Sequence, residues 1–322
     1  MDDLQSGLHP QAPASRRLVV VGLAVLGLMA GAPRATWAEP LIGVTTNNRL
    51  VSFDSASPGV LVNNVAITGI QPGETILGID LRPTNGLLYG LGSTNRIYVL
   101  SATTGAATSS ALLSGATLSG SSFGVDFNPV ADSAGLPSLR VVSEADQNLR
   151  INVDTGAVIV DSMLRAGMPP GSVNPTIGAS AYSNNVPGAT STTLYNIDFN
   201  FDRLVIQAPP NDGILVRVGE LVPLGPPMAG ADVTTDLVGF DISGLSGVAF
   251  SSLTAPGASS SQLYTINLAT GGATMVGTIG GGQSLRGLTA ANVVPEPAGL
   301  TLLGIGLAGL IGYARRRRER AV

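Results

Sequence analysis

The sequence predicts an all-β fold, a five-bladed β-propeller-like repeat that closes by pairing its N- and C-terminal strands. Three observations predict it. Between residues 39 and 292, short β-branched and apolar runs alternate with Gly, Asn, Asp, Pro and Ser clusters, with almost no helical periodicity. A four-strand pattern recurs along this region, and the two ends of the region supply the pieces of one further copy. A four- or six-bladed ring and an open β-sandwich are the alternatives.

The template of the repeat is clearest in the copy with predicted strands at 76–83, 87–91, 96–100 and 106–112. Further copies begin at Phe123, Ile177 and Val238. Residues 285–289 form a first strand with no successor, whereas 41–45, 49–53 and 60–67 form second to fourth strands with no predecessor. Joining these pieces makes a fifth blade and removes exposed sheet edges.

The residues at the predicted turns are consistent with this assignment of strands to blades. The pair Asn85-Gly86 lies between two strands of one copy, which is a strong hairpin signal. Thr-Gly pairs at 104, 155 and 270 place a glycine before the outermost strand, where a left-handed backbone is needed.

Composition excludes several classes of function. The region 39–294 has nine arginines, no lysine and seventeen Asp or Glu residues, so nucleic acid is excluded as an expected partner. The chain has no cysteine, and its one histidine, His9, lies in the leader. Triads that need His or Cys and the usual zinc sites are therefore excluded from the body, and we expect no enzyme activity.

The N-terminus has the layout of a secretory signal peptide, predicted over residues 1–38. Arg16-Arg17 precedes a short apolar helix at 18–30 and a small-residue site that ends at Ala38. We expect signal peptidase to cleave after Ala38. The twin-arginine route is an alternative, although Leu18-Val19-Val20 matches that motif poorly.

The C-terminal segment, 293–322, has a different character from the body. Residues 298–314 are uncharged and about 26 Å long as a helix, so we predict a transmembrane helix. The cluster Arg315, Arg316, Arg317 and Arg318 would stop transfer and stay in the cytoplasm, which places the body (39–292) outside. A permanent membrane anchor is one interpretation.

The triplet Pro295-Glu296-Pro297, followed by a glycine-rich apolar helix and arginines, resembles the PEP-CTERM sorting signal of Gram-negative bacteria. The resemblance implies an exosortase as processing partner, in bacteria that make exopolysaccharide. The protein would be held transiently in the inner membrane and then reach the cell surface or extracellular matrix.

The body also resembles a known family. Gly-x-Asp-Phe-Asn-Pro at 124–129, Asn-Leu-Arg at 148–150, Asn-Asp-Gly at 211–213 and Leu-Tyr-Thr-Ile-Asn-Leu-Ala-Thr-Gly at 263–271 are similar to the family catalogued as domain of unknown function 4394. The resemblance implies a secreted bacterial repeat protein and carries over no catalytic residues.

Asp80, Asp126 and Asp241 occupy the same place in three predicted first strands, where the other two have Ser180 and Thr289. These carboxylates could satisfy backbone groups at strand ends. They could instead converge at one mouth of the channel, where they would bind a hard cation such as calcium or act in glycoside cleavage.

The sequence therefore favours an exported, non-enzymatic propeller without a cofactor that binds polysaccharide or a surface protein in a biofilm. The alternatives are a hydrolase or lyase that uses channel carboxylates, and a calcium-stabilised structural module.

Overall fold

The computed structural model describes residues 38–167, 174–221 and 234–291, and strands dominate this part of the chain. In chain order the strands are Pro40–Thr45 (β1), Arg49–Asp54 (β2), Leu61–Ala66 (β3), Ile76–Leu81 (β4), Leu88–Gly92 (β5), Arg96–Leu100 (β6), Ala107–Leu112 (β7), Phe123–Phe127 (β8), Ser138–Ser143 (β9), Asn148–Asn152 (β10), Val158–Val160 (β11), Arg165–Ala166 (β12), Ile177–Tyr182 (β13), Leu194–Asp198 (β14), Arg203–Gln207 (β15), Ile214–Glu220 (β16), Val238–Ile242 (β17), Ala249–Leu253 (β18), Gln262–Ile266 (β19), Ala273–Thr278 (β20) and Leu285–Ala290 (β21). The described helices are short: Pro129–Ser133 (α1) and the 3-10 turns Pro210–Asp212 and Gly280–Gly282.

The strands form five antiparallel sheets, which are the five blades of a propeller. Blade 1 has the order β21-β1-β2-β3, blade 2 is β4 to β7, blade 3 is β8 to β11, blade 4 is β13 to β16, and blade 5 is β17 to β20. The innermost strands are β21, β4, β8, β13 and β17, which we call the first strands. They contact one another in a closed cycle, with β21 against both β4 and β17. The predicted five-bladed ring is confirmed.

Blade 1 closes the ring by joining the two ends of the body. β21 pairs with β1 in antiparallel register, from Leu41 opposite Ala290 to Thr45 opposite Leu285. The amide of Ala291 also donates to the Pro40 carbonyl, 2.8 Å away. The predicted pairing of the terminal strands is therefore correct.

Buried apolar clusters lie between neighbouring blades rather than in one central core. Each of the five neighbouring pairs of blades encloses one such cluster. Between blades 2 and 3, the Tyr89 ring meets Phe127 edge-on, with centroids 5.2 Å apart. Because every blade is buried on both faces, β5, β8 and β18 are buried along their whole length.

Each first strand carries a glycine at the same position, where it approaches its neighbours near the axis. These glycines are Gly78, Gly124, Gly178, Gly239 and Gly287. A Cβ added at Gly239 would lie 2.6 Å from Leu288 N and 2.7 Å from the carbonyl carbon of Gly287, both in blade 1. The neighbouring backbone cannot yield as a flexible side chain would, so a larger residue would push two first strands apart.

The turn glycines of the outer strands behave as the sequence predicts. Gly105, Gly156 and Gly271 all have positive φ, between 74° and 79°. Gly105 and Gly156 also lie directly against the outer strand of the preceding blade, so the same residue shapes the turn and permits blade-to-blade contact.

The structure differs from the sequence expectation at some outer positions. The outer strand of blade 3 has only three residues, Val158–Val160, and follows the Thr-Gly pair at 155. β12, at 165–166, lies outside the four-strand repeat. It pairs in parallel with β16, which ties the segment after blade 3 to the outer edge of blade 4.

Several sequence predictions fall outside the described residues: the signal peptide with its helix (1–38, of which only residue 38 is described), the transmembrane helix (298–314), the sorting triplet and the arginine cluster. Within the described ranges, no helix has the length and apolar character needed to cross a membrane.

The axial glycines give a direct test of ring packing. Gly239→Ala should lower the free energy of unfolding by about 1–3 kcal/mol, because its Cβ meets backbone atoms of blade 1. In Gly59→Ala the nearest atom to the new Cβ is 3.6 Å away, so the change should stay below about 1 kcal/mol. Urea denaturation of both variants measures the difference, and equal stabilities would contradict the packing argument.

Candidate functional site

Two residues after each axial glycine lies a polar residue. These five residues, which we call the hub, are Asp80, Asp126, Ser180, Asp241 and Thr289. The alternation of a strand brings each pair i, i+2 to the same face, so the close approach of the glycines also gathers the hub side chains. All five are at most 1% exposed.

The three hub carboxylates converge. Asp80, Asp126 and Asp241 each offer an oxygen, and these oxygens lie within 4.8 Å of one another. The sequence allowed two arrangements, carboxylates that satisfy backbone groups or a ring of carboxylates at an open mouth of the channel; the open mouth does not fit, because the three side chains are enclosed. The axial opening is lined mainly by apolar and glycine residues, including Phe123 and Phe240, and reaches the hub at Ser180.

Each hub carboxylate accepts a hydrogen bond from a backbone amide of the next blade. Asp80 Oδ2 accepts from Phe127 N (2.8 Å), and Asp126 Oδ1 accepts from Tyr182 N (3.1 Å). Asp241 Oδ2 accepts from Ala290 N, 2.6 Å away. These bonds join blade 2 to 3, blade 3 to 4 and blade 5 to 1, so the carboxylates link first strands to one another.

The Thr289 hydroxyl stands between two of the carboxylates. Its Oγ1 is 2.9 Å from Asp80 Oδ1 and 3.0 Å from Asp241 Oδ2. A hydroxyl has a single proton, so it cannot donate fully to both oxygens. If one of the two carboxyl groups were protonated, it could donate to Thr289 Oγ1 while the hydroxyl donated to the other, and both contacts would then be hydrogen bonds.

Asp126 is the least satisfied member of the hub. Its Oδ2 is buried and has no hydrogen-bond partner among the described residues. A buried carboxylate oxygen without a donor is destabilising, and native structures contain few of them.

Ser180 is hydrogen-bonded to a buried polar network on the side of blade 4, and not to the hub carboxylates. Its hydroxyl donates to Asn196 Oδ1 (2.5 Å), whose Nδ2 donates to Gln207. Gln207 Nε2 donates to Asn148 Oδ1, which also accepts from Arg140. This network joins blades 3 and 4 where a hub carboxylate is missing.

Arg140 is a buried basic residue on the strand next to Asp126, and it is not among the site residues predicted from the sequence. It is 1% exposed and lies opposite Asp126 on the neighbouring strand. Its guanidinium donates to Asp161 Oδ2 (2.7 Å) and to Asn211, and its Nε to the Tyr182 hydroxyl. Among the described residues, none of the ion pairs includes a hub carboxylate. A charged residue inside the apolar run 139–142 was the available signal, but its partners come from distant segments.

Burial dominates the electrostatics of the hub. Burial, followed by the charge of Asp241, raises the pKa of Asp80 well above its usual range. Burial, followed by the charges of Asp80 and Asp241, does the same to the pKa of Asp126. Burial raises the pKa of Asp241 to about 6, against the lowering effect of its amide and hydroxyl donors. The hub therefore favours added protons or another positive charge.

Comparison with known protein families shows to which family the body of the chain belongs. Residues 49–289 match the family model described as Domain of unknown function (DUF4394). The chain belongs to the DUF4394 family. Residues 293–318 of this DUF4394 protein match the PEP-CTERM protein-sorting motif. An exosortase recognises that motif, so the protein is directed to the cell envelope of a Gram-negative bacterium.

The solved structures that match this DUF4394 protein share little sequence with it. One is a structural genomics protein of unknown function from Bacteroides thetaiotaomicron VPI-5482 (TM-score 0.45, 19% identity, 72% of this chain and 56% of that one). Another belongs to a nidogen/laminin complex (TM-score 0.45, 12% identity, 78% and 98%). A third is a protein from Lactobacillus plantarum (TM-score 0.37, 16% identity, 78% and 71%). The match thus spans little more than half of the Bacteroides protein. No curated protein matches the sequence.

The raised carboxyl pKa values predict an unusual pH dependence in metal-free buffer. Between about pH 4 and the folded-state pKa values, the folded protein holds protons that the unfolded chain releases, so stability falls as pH rises. For Asp241, a shift from 3.8 to about 6 corresponds to roughly 3 kcal/mol. Asp161 and Glu74 have lowered pKa values, and their effect is confined to more acidic solution.

Urea denaturation with a chelator present, from about pH 5 to about pH 8, should show this decline. Asp126→Asn keeps an oxygen for the Tyr182 amide and removes one buried charge, so its decline should be shallower and it should be the more stable protein at about pH 8. Because Asp198 also has a raised pKa, the difference between the two proteins reports on the hub. Parallel curves would contradict the predicted charge coupling.

Proposed function

We propose that this DUF4394 protein is a non-enzymatic binding module of the cell surface or extracellular matrix, which contacts polysaccharide or a surface protein in a biofilm. The observation that carries the proposal is the PEP-CTERM motif at 293–318, three residues after the last strand of the ring. An exported, self-closed ring that ends in a sorting motif is suited to display on the outside of the cell. Signal peptidase and the exosortase would process its two ends.

The burial of the hub carboxylates supports a non-catalytic role. Glycoside cleavage needs two carboxyl groups that flank the scissile bond of a bound sugar. Here Asp80, Asp126 and Asp241 are each 1% exposed, and each holds a backbone amide of the next blade. A sugar could reach them only if first strands separated. The hydrolase or lyase alternative is therefore disfavoured.

The composition of the described surface also supports a binding role. The region 39–294 is acidic and lacks lysine, so an anionic polymer would be bound through hydroxyl and amide groups and not through charge attraction. Outer strands carry exposed apolar side chains, such as Val62 at 78% and Val160 at 61% exposure. Neutral sugars and protein surfaces both offer suitable contacts to such a mixed surface.

Processing of the tail can be followed in a host with or without its exosortase. With the exosortase, the full-length protein should become shorter at its C-terminus and move from the membrane fraction to the cell surface. Glu296→Gln should stay in the membrane fraction because it alters the sorting triplet. Glu319→Gln, which removes the same charge just outside the matched motif, is the control. Normal processing of Glu296→Gln would contradict the assigned role of the triplet.

Binding and cleavage can be separated with extracellular polysaccharide from an exosortase-containing bacterium. The full-length protein in detergent should sediment with the polysaccharide and release no new reducing ends. Release of reducing ends that disappears in Asp126→Asn would overturn the proposal in favour of a hydrolase. Absence of sedimentation would exclude polysaccharide and leave a protein partner, which pull-down from the same cell surface must then show.

A further inference from the structure

The hub concentrates negative charge that no described basic residue neutralises. Three carboxylates lie within 4.8 Å of one another. Arg140, opposite Asp126 on the neighbouring strand, is paired with Asp161 at 2.7 Å. Arg286, which lines the axial opening, forms none of the ion pairs of the described residues. Burying carboxylates together without a counter-charge is strongly destabilising near neutral pH. The fold therefore needs protons or a cation at this position.

A second observation points to a ligand. Asp126 is 1% exposed, and its Oδ2 has no donor in the described chain although Oδ1 is bonded to Tyr182 N. The unpaired oxygen belongs to the residue whose pKa is raised by burial and by the charges of both other carboxylates. A vacant acceptor enclosed beside two more carboxylates is what a bound cation would satisfy.

We propose that the hub binds one calcium ion between the carboxylates of Asp80, Asp126 and Asp241. The oxygens lie within the span that two calcium–oxygen bonds of about 2.3–2.6 Å can bridge. Thr289 Oγ1, between Asp80 and Asp241, is a neutral fourth oxygen beside the same position. Carboxylate oxygens that accept an amide hydrogen keep a second lone pair for a metal.

The donor set distinguishes calcium from other common ions. Zinc sites usually include His or Cys, and the body has neither. Magnesium dehydrates reluctantly and keeps several waters, whereas the hub is enclosed. Calcium accepts irregular oxygen geometry and variable ligand number, which fits carboxylates fixed by the spacing of first strands.

The ion would act as a structural clamp. Its ligands come from blades 2, 3 and 5, and Thr289 adds blade 1. A cation at the axis would replace the mutual repulsion of three first strands by a shared attraction. Blade 4, which contributes Ser180, is joined instead through the hydrogen-bonded network around Asn196.

Calorimetric titration of the full-length protein in detergent tests the site. After removal of metals with a chelator, calcium chloride should bind with a stoichiometry of one. At one hundred times the dissociation constant, the melting temperature should rise by about 5–10 °C through linkage. Asp126→Asn should lose both the binding and the rise.

Comparing Asp126→Asn with a control variant distinguishes calcium binding at the hub from calcium binding elsewhere on the protein. Asp212→Asn removes an exposed carboxylate outside the hub and should bind calcium as the unchanged protein does. Asp126→Asn should remain folded by circular dichroism, since it keeps the acceptor for Tyr182 N. The proposal would be overturned if the unchanged protein bound no calcium at about 1 mM, which is within the affinity range of extracellular calcium modules. Equal calcium responses in Asp126→Asn and the unchanged protein would overturn it too, and the hub would then be neutralised by protons.

Discussion

The close approach of the five first strands is the constraint on which the rest of the molecule depends. A propeller blade is widest at its outer edge, so its inner strands must converge near the axis. Here the convergence is so tight that a methyl group at Gly239 would overlap the backbone of the next blade. Glycine occupies the equivalent position in all five first strands, and the hub side chains lie two residues further along the same strands.

Two kinds of interaction hold the ring, and they act at different radii. Apolar clusters fill the wedges between blades and supply most of the burial. At the hub, short polar residues bond to the amides of the next blade. Apolar packing is not directional, whereas an amide-to-carboxylate bond fixes the register of one first strand against another.

The sequence predicted the architecture well because its signals were local. Alternating apolar runs, turn glycines such as Gly105 and the broken repeat at the chain ends gave the blade count and the closure. It also placed Asp80, Asp126 and Asp241 at equivalent positions. The sequence also indicated that they could satisfy backbone groups, but their burial and the identity of their amide donors depend on the distance between strands of different blades.

Other contacts between distant segments could not be predicted from the sequence for the same reason. The Gly-x-Asp spacing was visible in the sequence, but its meaning needs the neighbouring first strand. Arg140 finds partners in segments 21 and 71 residues away, and the two-residue strand at 165–166 is too short to give any periodic pattern. Contacts of this kind are properties of the assembled ring and have no local signature.

The split blade determines how the ring would carry mechanical load. β21 is both the last strand before the sorting motif and an innermost strand at the axis. Traction applied through the tail would therefore act first on the centre of the ring, along the ladder between β21 and β1 and on the Thr289 contacts. The hydrogen bonds between β21 and β1 and those of Thr289 would share this load, so the pairing that completes the circle also anchors the end of the body next to the sorting motif.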